Sequence, residues 1–156
     1  MQISLLCVGK LKDTFYREAC GEYEKRLSRY HKLSITEVPD EGTQDDRPIS
    51  IQKALEKEAA RLLPHLEKGY PVALTIDGNA GDSHAFARRM AGYQHLGQPL
   101  VLIIGGSHGL HESVLARCKE RISLSPLTFP HNLVRLIVLE QLYRAAKIDA
   151  GEPYHK

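Results

Sequence analysis

Five short β-forming runs recur along this chain, and helical periodicity returns between them. The runs are "ISLLCV" (3–8), "LSITEV" (33–38), "VALTI" (72–76), "LVLII" (100–104) and "RISLS" (121–125). The run at 100–104 is apolar throughout, and 3–8 nearly so. Such runs mark strands buried on both faces rather than half-buried strands that alternate. Parallel neighbours can be joined only by a crossover of roughly a dozen residues or more, usually a helix. Strand and helix patterns alternate from end to end, so the expected fold is α/β, a mostly parallel sheet covered by helices. At 156 residues the chain is long enough for one domain, 1–156, with its own core.

The intervening segments give the helices. The first starts at Asp13 or Thr14 and sets Phe15, Ala19, Tyr23, Leu27 and Tyr30 along one face. A second opens at Ser50, with Ile51, Ala54, Leu55, Ala59, Leu62 and Leu66 inward, and Pro64 is expected to end or kink it. A third, from about Ser83, groups Phe86, Met90 and Tyr93, and a short one covers "HESVLARC". The last starts near Pro130 and includes "LVRLIVL", apolar nearly all round, which predicts burial on more than one side. Residues 39–49, with two prolines, a glycine and several acids, are expected to form a mobile loop, and "DGNAGD" (77–82) a turn.

Composition excludes some classes. The chain is 42% hydrophobic and 26% charged, ordinary for a globular protein. No apolar stretch approaches the ~20 residues of a membrane span. "MQISLLCVGK" lacks the basic start and small-residue cleavage site of a secretory leader. Three widely spaced cysteines suit reduced thiols and a cytoplasmic setting better than a disulfide framework. The net charge is +2, short of the basic footprint typical of proteins that grip bare nucleic acid. Charge is uneven, though: residues 1–32 carry seven Lys/Arg against four Asp/Glu, while "EVPDEGTQDD" holds five acids and no base. RNA contact is permitted, not predicted.

The segment "IIGGSHGL" (103–110) carries G-x-S-x-G, the pattern of a hydrolase nucleophile elbow when it joins a strand to a helix. An elbow enzyme needs an acid and then a histidine after Ser107, and Asp149 with His155 supply that order. Only one short strand follows, however, and no HGGG-type oxyanion loop precedes it, so the sheet is too small for the triad. The glycines fit neither G-x-G-x-x-G nor a phosphate loop with its lysine, and His108 and His111 do not form a zinc-protease pattern. Two readings stay open. One is a tight βα turn with Ser107 capping the next helix. The other is a phosphate-free ligand lying against backbone at the carboxyl end of a parallel strand.

"LSPLTFPHNLVRLIVLEQLYRAAKI" (124–148) offers a similar choice. Its two prolines make either a stiff connection capped by Thr128 or a loop whose free amides read a flat heterocycle. The closing "YHK" would ordinarily be a frayed end.

In order and spacing, "VGKLK", "YEKRL", "EVPDE", "IGGSHGL", "LSPLTFPHNLVRLIVLEQLYRA" and the final "YHK" resemble the ribosomal RNA large subunit methyltransferase H family, small SPOUT methyltransferases, over the whole chain. The resemblance implies a C-terminal trefoil knot, a homodimer built on the same region, and S-adenosylmethionine as cofactor. It places that cofactor on Leu74, Gly105 and the loop Leu124, Ser125, Pro126, Leu127, Thr128 and Phe129, with Ser107 a turn residue. The implied reaction is methylation of N3 of a pseudouridine in a hairpin loop of 23S rRNA, on the assembled ribosome in the cytoplasm, without a metal. His155 is the expected base, Tyr154 would position the nucleotide, and Arg144 would hold phosphate or the ionised ring. Arg17, Lys25, Arg26 and Arg29 of the first helix are the expected RNA-facing surface. The alternatives are a non-catalytic cofactor-binding dimer of the same fold and the hydrolase. One residue departs from the family pattern: Asn79 stands where a lysine is frequent.

Overall fold

A computed structural model describes all of residues 1–156. Its strands are β1 (Gln2–Val8), β2 (Lys32–Val38), β3 (Tyr70–Asn79), β4 (Leu100–Ile104) and β5 (Glu120–Ile122). Its helices are α1 (Thr14–Leu27), α2 (Pro48–Leu66), α3 (Ser83–Gln94), α4 (Glu112–Leu115) and α5 (His131–Asp149). The strands form one sheet in the order β2-β1-β4-β3-β5, parallel throughout. All five residues of β4 are buried at its centre, as a strand covered on both faces requires.

Strand pleating divides the core into two. Ile3, Leu5, Cys7, Leu100, Leu102 and Ile104 face α1, α3 and α5, while Leu6, Val8, Val101 and Ile103 face α2 and α4. α5 follows β5 at one edge, yet Arg135 on it reaches the carbonyl of Gly9 after β1 and the carboxylate of Glu37 on β2. Residues 123–130 therefore carry the chain across the carboxyl ends of the strands before the last helix begins.

Several expectations change. β3 runs on through the expected turn to Asn79, because Leu74 and Asn79 both register with Ile122 around a bulge. Gly78 makes this possible: a Cβ there would stand 2.5 Å from the carbonyl carbon of Ile122. α1 does not bury Phe15, which is 63% exposed, whereas Cys20 and Leu27 are buried. Each four-residue step overshoots a 3.6-residue turn by about 40°, so Phe15 has rotated off the face by Leu27. Tyr30 lies beyond the helix end. α2 starts at Pro48 and passes Pro64 by two residues, so the proline falls in its last turn. The expected mobile loop is irregular but tied to α2: Arg61 donates to the Pro39 carbonyl at 2.8 Å, and Glu58 accepts from the Glu41 amide at 2.9 Å.

His31 is buried where α1 meets β2, with Nδ1 3.5 Å from the N-terminal ammonium. Burial, then the ammonium charge, lower its pKa from the ordinary 6.5. The unfolded chain therefore takes up this proton first, and His31 costs stability as pH falls below about 6.5. We expect the melting temperature to fall between pH 7 and pH 5, and less steeply in His31→Gln.

Candidate active site

The carboxyl half of β3, the 123–130 crossing, the first half of α5 and the folded-back tail line two adjoining hollows. Leu74, Leu124, Ser125, Leu127 and Phe129, all expected cofactor residues, line a groove of about 90 Å³ with Thr75, Ile76 and Val134. Local hydrogen bonds shape the loop: Ser123 Oγ donates to the Ser125 carbonyl (3.1 Å), and Ser125 Oγ accepts from the Leu127 amide (3.0 Å). Leu127 and Ile76 are 66% and 55% exposed, costly apolar surface for a lone chain. Thr75 Oγ1 is buried with no hydrogen-bond partner. Pro126 and Thr128 are exposed on the same loop and do not line the groove. Thr128 is not a helix cap either, since Pro130 precedes the first turn of α5.

Gly105 is buried at the end of β4, and its missing side chain has a local cause. A Cβ would lie 2.5 Å from the Gly109 carbonyl oxygen, across the bridge that closes Gly106 onto Gly109. Ser107 sits exposed in that tight turn and caps nothing. The next helix begins at Glu112, with His111 as its cap, accepting from the Ser113 amide at 3.1 Å. Strand, turn and helix are thus not joined as an elbow, and Ser107 makes no hydrogen bond to a histidine.

Arg144, Tyr154 and His155 come together around a residue the sequence did not single out, Glu140. Arg144 Nη2 donates to Glu140 Oε1 at 2.5 Å, and the Tyr154 hydroxyl donates to the same oxygen at 3.1 Å. The guanidinium lies 4.8 Å from the centre of the Tyr154 ring, and its Nη1 is 3.3 Å from His155 Nδ1. Tyr143 meets Tyr154 edge-on at 4.9 Å, and His84 meets His155 at 4.6 Å. The tail is therefore docked rather than frayed. Burial first, then hydrogen bonding and the Glu140 charge, raise the Tyr154 pKa, so its hydroxyl stays protonated. The Glu140 hydrogen bond raises that of Arg144, which stays a cation.

His155 also borders a larger cavity, about 400 Å³, between α3, α5 and the start of the 123–130 crossing. Leu124 lines both this cavity and the groove, so the proposed cofactor loop and the tail share one region. Asn79 lies on the cavity rim. Gln141 links its wall to the cluster: Ser83 Oγ donates to Gln141 Oε1 (3.0 Å), and Gln141 Nε2 donates to Glu140 (2.6 Å). The four-residue spacing of Glu140 and Arg144 was the available signal for this network. Nothing local announced that Tyr154 would fold back onto it.

The basic face of α1 is partly spent internally. Arg26 pairs with Glu22 at 2.8 Å and lies over the rings of Tyr23 and Tyr143. Arg17 donates to Thr14 at 3.3 Å, while Lys25 and Arg29 are exposed. No group of three or more His, Cys, Asp or Glu is placed to hold a metal ion. No helix is long and apolar enough to cross a membrane.

The sequence pattern described as Predicted SPOUT methyltransferase matches residues 1–155. The chain is 44% identical, over all of both chains, to the ribosomal RNA large subunit methyltransferase H of Clostridium novyi. It is 46% identical, again over all of both, to that of Bifidobacterium animalis subsp. lactis. Among solved structures, a probable methylase family protein of Haemophilus influenzae superposes with a TM-score of 0.55 at 12% identity, covering 99% of this chain and 70% of that one. A Legionella pneumophila structure with the cofactor SAM bound gives 0.52 at 12% identity, covering 93% and 66%. These last two likenesses speak for the fold alone.

Proposed function

The chain belongs to the SPOUT methyltransferases, in the ribosomal RNA large subunit methyltransferase H family, and from that premise we propose that it methylates N3 of a pseudouridine in a hairpin loop of 23S rRNA. In this reading S-adenosylmethionine is the methyl donor and the assembled ribosome in the cytoplasm is the substrate. The observation that carries the reading is the gathering of Arg144, Tyr154 and His155 around Glu140, beside a cavity that shares Leu124 with the cofactor groove.

The groove suits this cofactor. It offers apolar walls for adenine, exposed Leu127 and Ile76 to be covered, an orphaned Thr75 hydroxyl and no Lys or Arg to ask for a phosphate. Leu74 and the 124–129 loop would hold it, with Gly105 at the end of β4. When bound, S-adenosylmethionine supplies an electrophilic methyl group, and its sulfonium leaves as a neutral thioether.

The chain's own residues supply the rest. Tyr154, held protonated, positions the nucleotide. His155 accepts the N3 proton through Nδ1, which here faces Arg144. Arg144 must therefore swing onto an RNA phosphate or the ionised ring when substrate binds, freeing the imidazole lone pair. Alignment of the reactants is the largest contribution, up to roughly 7–11 kcal/mol for a well-oriented pair.

The crossing at 123–130, with α5 anchored at the far side by Arg135, supports the reading of a trefoil knot. Leu133, Leu136 and Ile137 of α5 are only partly buried, which supports the homodimer. Lys25 and Arg29 serve as RNA contacts, and Asn79 would contribute less charge there than the lysine frequent in the family.

The test is tritium transfer from labelled S-adenosylmethionine to ribosomes lacking the modification, with free rRNA in parallel. Label in the large-subunit RNA of ribosomes is the expected result. Cofactor binding without label on either substrate would overturn the reading in favour of a binding module.

A further inference from the structure

The 400 Å³ cavity has a feature that folding alone does not use. Arg89, on α3, lines it, and its Nη1 is buried with no hydrogen-bond partner. The nearest carboxylate, Glu120, already accepts from the hydroxyls of Tyr70 (3.0 Å) and Tyr93 (2.9 Å) and stands 3.6 Å from that nitrogen. Glu120 offsets the charge of the guanidinium, but a buried N–H left without a hydrogen bond is still costly, and such groups are rare without a ligand to meet them. The remaining polar wall holds further donors: the Asn79 amide, the second amide hydrogen of Gln141, whose first goes to Glu140 (2.6 Å), and the Ser83 hydroxyl, which turns from Gln141 (3.0 Å) to meet a ligand. The other ionisable groups on the wall are Asp82, spent on the Ala85 amide at 2.7 Å, and His155. The volume falls in the usual range for a small-molecule site, and one end touches Leu124 of the cofactor loop.

Donors clustered beside a proton acceptor suit a heterocycle with two carbonyl oxygens flanking an acidic N–H, which is an imide. We propose that this cavity seats the target base flipped out of its RNA loop, with Arg89 facing an imide oxygen and Ser83 supporting it. The proposal rests on the functional reading above and adds the residues that select the base. As the N3 proton passes to His155, negative charge spreads onto the imide oxygens, and the Arg89 guanidinium offsets it. Arg89 thus favours the ionised base, while a cytosine, with an amino group in place of one oxygen, would set donor against donor. Extruding a base from a hairpin loop costs less than from a duplex, so a fixed pocket can capture it.

The experiment uses the full chain, a synthetic hairpin RNA with pseudouridine in its loop, and Arg89→Gln and Ser83→Ala. Cofactor affinity and melting temperature are read first, then hairpin affinity by calorimetry and methyl transfer to ribosomes across pH. Arg89→Gln should leave cofactor affinity within about twofold and weaken hairpin binding about 10- to 100-fold, the range for a lost charge-assisted hydrogen bond. Its kcat/KM profile should shift to higher pH, a change that a merely structural role would not produce. Ser83→Ala should show the same pattern more weakly, and it carries the test if Arg89→Gln does not fold. Transfer and hairpin binding indifferent to both changes would overturn the pocket while leaving the methyltransferase reading intact. Hairpin binding that depends on Arg89, with no methyl transfer by the unaltered chain, would support the pocket and overturn that reading instead.

Discussion

His155→Ala should lower kcat for methyl transfer by about 10²- to 10⁴-fold, the usual contribution of a general base, while leaving cofactor affinity unchanged. The ring lies on the rim of the large cavity, outside the Leu74–Phe129 groove, so its loss removes no groove contact. The imidazole Nδ1 has Arg144 at 3.3 Å, and a guanidinium can only donate. In this arrangement the neutral ring carries its proton on Nε2 and cannot accept another at Nδ1 until Arg144 moves. That predicts a split between the two residues. Arg144→Ala should raise KM for ribosomes through the lost phosphate contact, with a smaller effect on kcat. His155→Gln separates a base from a donor: glutamine can donate a hydrogen bond but cannot take the proton at neutral pH. Activity as low in Gln as in Ala, with the acid limb of the pH profile gone in both, is expected. Substantial activity in Gln would make His155 a donor to the base and transfer the proton step to solvent.

Where a physical pattern is local, the sequence carried it. β4 was legible because five consecutive apolar residues have few other places to go in an α/β chain, and α3 because Phe86, Met90 and Tyr93 recur at helical spacing and are all buried. The errors are equally physical. Phe15 falls on the Leu27 face only by a four-residue count that drifts around the helix. Asn79 reads as a turn residue because a bulge and a Cβ-free approach at Gly78 are decided by the partner strand. Glu58, buried against the 39–47 segment, looks from its neighbours like one more surface acid of α2.

The site was legible unevenly for the same reason. Leu124, Ser125, Leu127 and Phe129 are near neighbours, and one loop brings them to the groove. Polar groups gathering at the C-terminal end beside the cofactor loop point to Arg144, Tyr154 and His155; the Glu140 that holds Arg144 and Tyr154 is visible only once the tail is docked. Arg89 was invisible because its meaning lies in what Nη1 lacks, a hydrogen bond, which depends on two tyrosines from elsewhere in the chain having taken the Glu120 oxygens. For Gly105 the resemblance supplied a reason of close approach by the cofactor, and the structure supplies another, the Gly109 carbonyl.

Glu37→Ala should destabilise the protein by about 3–5 kcal/mol, the cost of stranding one member of a buried ion pair. For a chain of this size that is a fall in melting temperature of about 6–20 °C. The two members are not equivalent. The Arg135 side chain is 4% exposed and that of Glu37 31%. Removing the carboxylate leaves a buried guanidinium with only the Gly9 carbonyl at 2.9 Å, and also frees the Leu11 amide that Glu37 accepts from at 3.1 Å. Removing the cation leaves a carboxylate that can still reach water, and methionine fills much of the vacated space. Arg135→Met should therefore cost clearly less than Glu37→Ala, although arginine is the more buried residue. The pH dependence has a definite sign. Burial pushes the Glu37 pKa up, but the hydrogen bonds from Arg135 and Leu11 and the nearby positive charges bring it below the ordinary 4.5. Its stabilisation is present above about pH 4.5 and is lost as pH falls through the lower folded value, a loss Glu37→Ala should not show. The effect should reach the site as well. Arg135 fixes the start of α5, and the 124–129 loop ends one residue before Pro130, which caps that helix. A looser α5 would loosen the loop, so cofactor affinity should fall with stability in Glu37→Ala. Unchanged cofactor affinity at a lowered melting temperature would instead show the loop to be held by its own Ser123 and Ser125 hydrogen bonds.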